Sequence, residues 1–174
     1  MKLARRNWMA LAALTAFSLT AGQAFAKGTV IKVSLWDKGA MSMNMLTDGP
    51  MFGMGMGMGM GQKAGQQQKG PMGITATPRT VPAGEVTFAV TNASKIMVHE
   101  MVLAPLKDET TPLPYDKATQ KVDEDAAGHL GEVAELEPGK NGALTMTLKP
   151  GRYMLYCNIA GHYALGMWTL ITVK

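Results

Sequence analysis

From Met72 to Lys174 the chain is written as short segments of alternating polarity, each closed by a turn signal. The run is "GITATP", "VPAG", "EVTFAVTN", "KIMVHEMVLAPL", "GHLGEVAEL", "EPGKNG", "ALTMTLK", "PG", "RYMLYC" and "MWTLITVK". A period of two sends successive side chains to opposite faces of a strand, so Val86, Phe88 and Val90 face one way. The Pro-Gly pairs at 138–139 and 150–151 suit tight turns between strands. Strands at this spacing, with no helical repeats between them, bury their apolar faces by stacking sheet on sheet. The expected fold is all-β, a Greek-key β-sandwich or barrel.

Three other stretches frame this core. Upstream, "TVIKVSLW" places Ile31, Val33 and Leu35 on one face, a first strand within residues 27–40. Residues 41–70 then break into a Met, Gly and Gln tract whose alternate glycines cost too much backbone entropy for a stable helix or strand. This reads as a flexible insert, with the domain core resuming over 71–174. Within that core, the polar "PYDKATQKVDEDAAG" at 114–128 is expected to hold one short helix on a crossover between sheets.

Residues 1–26 have the layout of a secretory signal: Lys2, Arg5 and Arg6, then an apolar run from Met9 to Leu19, then Ala24-Phe25-Ala26 as a small-x-small cleavage site. The apolar run is short for a membrane span. Cleavage would remove three cations and no anion, taking the formal charge from +4 to +1. The basic character therefore belongs to the leader, and nucleic-acid binding is not expected. The expectation is a periplasmic protein that is not inserted in the membrane after cleavage, and a monomer.

An exported chain with one cysteine cannot close an internal disulfide. Cys157 is then a buried structural thiol, half of an intermolecular disulfide, or a metal thiolate. Its neighbourhood bears on the choice. In "CNIAGHYALGM", a loop joining two adjacent strands brings Cys157, His162 and Met167 to a common point. His99 lies in "KIMVHEMVLAPL", where Met97, His99, Met101 and Leu103 share one face and Ile96, Val98 and Val102 the other. Both faces are largely apolar, so this is a central strand, and a buried imidazole there needs a partner: a carbonyl, a water or a metal. Two imidazoles, a thiolate and a thioether make the donor set of a type 1 copper site. One methionine and no second cysteine disfavour a structural zinc site.

With these pieces in place, the chain from about Thr29 to Lys174, less the insert, resembles the cupredoxins, the type 1 copper family. "VHEMVL" matches the family's first histidine, and "PGRYMLYCNIAGHYALGMWTLITV" its C-terminal ligand loop. The Cys-x4-His-x4-Met spacing is similar to that of rusticyanin- and auracyanin-type loops. The resemblance implies one type 1 copper ligated by His99, Cys157, His162 and Met167. It implies single-electron transfer with a redox partner such as a cytochrome or a copper oxidase, and no catalytic residues. It also implies an exit route through His162, beneath an apolar rim of Ile159, Ala160, Tyr163, Ala164 and Leu165. Glu100 departs from the pattern: many members place Asn or Ser there, where it ties the ligand loop.

The insert supports a second reading, copper sequestration or tolerance. Met43, Met45, Met51, Met54, Met56, Met58 and Met60 offer thioethers that suit Cu(I), and the tract is similar to those of exported copper-tolerance proteins. The alternative is a linker of low complexity. His129, the third histidine, has no donor at a recognisable spacing and reads as a surface or strand-start residue.

Overall fold

The computed structural model describes residues 28–42, 70–107 and 113–174. The leader at 1–26, nearly all of the insert and every one of its seven candidate Cu(I) methionines lie outside the described residues. In chain order the strands are β1 (Thr29–Asp37), β2 (Met72–Thr77), β3 (Thr80–Val81), β4 (Gly84–Asn92), β5 (His99–Leu106), β6 (Tyr115–Asp116) and β7 (Lys121–Val122). A short helix α1 (Glu124–Ala127) follows, then β8 (Gly131–Leu136), β9 (Asn141–Leu148), β10 (Gly151–Tyr156) and β11 (Trp168–Val173). Among the described residues, one sheet has the order β2-β1-β4-β9 and a second the order β3-β11-β10-β5-β8. The expected all-β sandwich is what forms.

Alternation explains the packing. Ile31 and Val33 of β1 stand in register with Phe88 and Val90 of β4, and all four are buried. They meet Met101, Leu103, Leu155 and Ile171 of the second sheet in one core cluster. Burying each such side chain contributes about 1.5–3 kcal/mol. The β5 sequence lacks clean alternation because both of its faces are covered. Val102 and Ala104 join Met154, Tyr156 and Trp168 in a second cluster on the outer face of the five-stranded sheet. Leu113, Val122 and Ala127, from the connection between β5 and β8, close over it.

The segment expected to cross between sheets instead joins β5 to β8, its antiparallel neighbour in the same sheet, and it holds the expected short helix after a two-stranded ribbon. Polar side chains bonding their own backbone account for this. Asp116 Oδ1 accepts from the Ala118 N–H at 2.8 Å and its Oδ2 from the Thr119 hydroxyl at 2.9 Å. Asp123 caps α1 by accepting from the Ala126 N–H at 3.0 Å, and Gly128, at φ 68°, ends it.

One buried amide aims the start of β5. Asn92 Nδ2 donates to the Met97 and Leu136 carbonyls at 2.9 and 2.7 Å, while its Oδ1 accepts from the Ser94 N–H at 2.9 Å. Asn92→Ala leaves two buried carbonyls without donors and should lower stability by about 2–4 kcal/mol. Chemical denaturation checks this; a loss under about 0.5 kcal/mol would show that the clamp is dispensable.

Candidate metal centre

His99 opens β5 and is fully buried; a register irregularity in the pairing with β8 falls between His99 and Met101. Its Nε2 lies 2.9 Å from Asp37 Oδ2, at the end of β1. A carboxylate only accepts, so Nε2 carries the proton and Nδ1 presents its lone pair. Asp37 is itself well held. Burial alone would raise its pKa, but hydrogen bonds from the Ser94 hydroxyl, His99 and the Gly39 N–H keep it below the usual carboxylate value.

The other donors come from the loop between β10 and β11, which is wound back on itself. The Cys157 N–H donates to the Met167 carbonyl at 3.0 Å, and the Met167 N–H to the His162 carbonyl at 3.0 Å. His162 N–H to Ile159 and Leu165 N–H to Gly161 make the intervening turns. Gly161 and Gly166 sit at φ 82° and 93°, a backbone region that disfavours residues with a Cβ. The Gly161 N–H also donates to the Gln120 carbonyl at 2.9 Å, pinning the loop to the β5–β8 connection.

The result is convergence. His99 Nδ1 is 3.2 Å from His162 Nδ1, which is 3.3 Å from Cys157 Sγ. Donors about 2 Å from a common centre in a trigonal plane stand about 3.5 Å apart, so the three atoms fit a single metal ion. Cys157 and Met167 are fully buried in the same core cluster, and His162 is 2% exposed. Burial governs the charges. It pushes the Cys157 thiol up to about 12, although the Glu100 and Ile159 N–H groups point at the sulfur, the first at 3.5 Å. It pushes His162 down to about 3 and lowers His99 against the opposing pull of Asp37. Neutral imidazoles are ligands as they stand, and a thiolate in this core is stable only beside a cation.

Glu100 is 8% exposed and takes up the tie that its position calls for. Its side chain accepts from the Asn158 N–H, just past Cys157. Burial raises its pKa to about 7 despite that bond, and Glu132, Glu124 and Glu135 add to the rise. Asn158 is a residue that sequence reasoning missed. Its Oδ1 accepts from the Val122 N–H at 2.6 Å, and its Nδ2 donates to the Val122 carbonyl at 3.0 Å and Glu124 Oε1 at 2.7 Å. Asp37 was missed as well, and the one local hint was its place before a glycine at a strand end.

The expected apolar rim is not present as such. Tyr163, Ala164 and Leu165 are 2, 3 and 5% exposed, which leaves Ala160 exposed and Ile159 half-buried. Two contacts cause this. Tyr163 turns into the outer cluster, its ring 5.8 Å from Tyr115 and 5.9 Å from Tyr156. Leu165 packs into the core cluster between the sheets, and Gly70 passes so near its backbone that a Cβ there would lie 2.8 Å from the carbonyl oxygen.

Comparison with known proteins adds the family. Residues 62–174 match the copper binding proteins of the plastocyanin/azurin family. Among solved structures the chain is similar to reduced rusticyanin, at 17% identity and TM-score 0.51, over 86% of this chain and 81% of that one. It is also similar to rusticyanin from Thiobacillus ferrooxidans, at 16% identity and TM-score 0.49, over 86% and 79%. Auracyanin B matches at 25% identity and TM-score 0.43, over 57% and 80%. No curated protein matches the chain.

Filling this donor set should release one proton, from Cys157, because both imidazoles are already neutral at pH 7. The raised thiol keeps its proton until the metal displaces it. Apparent affinity should therefore rise about tenfold per pH unit between about pH 7 and 9. Competition against a chelator of known proton dependence checks this; a flat profile means that the thiol is not a ligand.

Proposed function

We propose, on the premise that this chain belongs to the plastocyanin/azurin family of copper-binding proteins, that it carries single electrons through one type 1 copper in the periplasm. His99, Cys157 and His162 would hold the ion, with Met167 as a fourth donor. The observation that carries this reading is the convergence of two imidazole Nδ1 atoms and one thiol sulfur, 3.2–3.3 Å between neighbours, inside an apolar core. When bound, copper supplies a one-electron couple, with thiolate and thioether suiting both oxidation states. The chain's own part is rigidity: Asp37 fixes the His99 ring, and Glu100 and Asn158 fix the Cys157 end of the loop. A shell that moves little on redox change keeps the reorganisation term small.

Electrons leave toward Ile159 and Ala160, the part of the ligand loop open to a partner such as a cytochrome or a copper oxidase. A small contact there suits brief docking. No catalytic residue is assigned. Residues 1–26 act as the export signal and are removed before Lys27, and the mature chain works as a monomer. No described helix is long and apolar enough to cross a membrane.

Cys157→Ser tests the centre. The variant should lose the intense visible band of thiolate-to-copper charge transfer and keep its β-sheet circular dichroism. A copper-loaded variant with an unchanged spectrum would overturn the assignment.

A second reading, copper sequestration, rests on the methionine run over 43–60, which precedes the family match at 62. Met41, at its threshold, is 60% exposed, so a thioether there is open to solvent. If the run binds Cu(I), reduced protein should take up more than one copper, and deleting 41–60 should return the count to one without altering the visible band. One copper with or without the run would leave electron transfer alone.

A further inference from the structure

The third histidine is not isolated. Glu124, His129 and Glu132 come from α1, the turn after it and β8, and one ligand atom of each lies within 4.8 Å of the others. Backbone geometry delivers them. Gly128 in the left-handed conformation reverses the chain, and the His129 N–H donates to the Glu124 carbonyl at 3.0 Å, folding the histidine back over the helix. The Leu130 N–H donates to the Leu103 carbonyl at 2.8 Å, fastening the turn to β5. Asn158 Nδ2 holds Glu124 Oε1 at 2.7 Å, which orients that carboxylate.

Two further observations point to a ligand there. Tyr156 is fully buried, and its phenol oxygen has no hydrogen-bond partner. It stands in register with Val102, which is in register with Glu132, so the three share the outer face of the sheet. The charges that act most on that oxygen are those of Glu124 and Glu100, with Glu132 also contributing. The unpartnered phenol therefore shares the sheet face of Glu132 and lies within the influence of both carboxylates of the cluster, where a water or anion on a bound ion could take its proton. Charge of one sign also gathers there: Glu132, Glu124 and Glu135 all act on the buried Glu100 carboxyl.

We propose that Glu124, His129 and Glu132 form a second metal site on the outer face of the five-stranded sheet, which takes a borderline divalent cation such as Zn(II). One imidazole with two carboxylates suits such an ion. The imidazole is a poor match for calcium or magnesium, and the absence of sulfur excludes a preference for Cu(I). The site is distinct from the thiolate centre, and its link to that centre is Asn158, which bonds Glu124 and directly follows Cys157.

The test is calorimetric titration of Zn(II) into the full mature chain with its copper already bound, at neutral pH. One additional zinc should bind with the visible band unchanged in intensity. His129→Ala, at an exposed position, should weaken uptake by at least about tenfold, and Glu132→Gln should do the same. The His129-dependent increment should also appear in copper-free Cys157→Ser protein, which separates a failure of this site from a failure of the copper reading. No zinc uptake by the copper-loaded chain, or uptake equal in the parent and in His129→Ala, overturns the proposal.

Discussion

Burying a thiol and two imidazoles together in an apolar core is the constraint on which the rest of this structure depends. Each group is poorly solvated there: the thiol is pushed up to about 12 and His162 down to about 3. Such a cluster is tolerable only if every donor is aimed at a common centre and its remaining hydrogen-bonding capacity is used. The supporting bonds follow that need. Asp37 takes the outer nitrogen of His99, Glu100 and Ile159 offer N–H groups to the sulfur, and Met167 takes the Cys157 N–H.

The ligand loop shows how a short segment can be rigid without being a helix or a strand. Between Cys157 and Met167 nearly every turn is closed by a backbone hydrogen bond, and two glycines supply the conformations that close them. The loop is then fastened at both sides. The β5–β8 connection takes Gly161 through Gln120 and Asn158 through Val122 and Glu124, and Gly70 lies against the Leu165 carbonyl. That connection thus has two tasks: it completes the second apolar cluster over Tyr156 and Trp168, and it holds the metal loop still.

That double covering accounts for the one expectation that failed at the site. An apolar stretch such as Tyr163-Ala164-Leu165 beside a metal loop can line a docking rim or be packed away, and the residue types are the same in both cases. Here the tyrosine pairs with Tyr115 and Tyr156 and the leucine packs into the inter-sheet core, so the exposed part shrinks to Ile159 and Ala160.

What the sequence by itself determined is what local spacing can carry. Alternation over β1, β4, β9 and β10 specified strands and inward faces, since side-chain direction in a strand depends only on parity. The loop from Cys157 to Met167 singled out three donors within eleven residues, and the apolar setting of His99 on both faces marked it as buried. Only the tertiary structure decided which distant groups serve them. Asp37 is 62 positions from His99, and Asn158 is 34 from Glu124. His129 met Glu132 only because a glycine reversal and the β5–β8 pairing put them side by side. Sheet order and the packing of the β5–β8 connection arise from the whole chain burying its apolar area at once, and no window of neighbouring residues records that outcome.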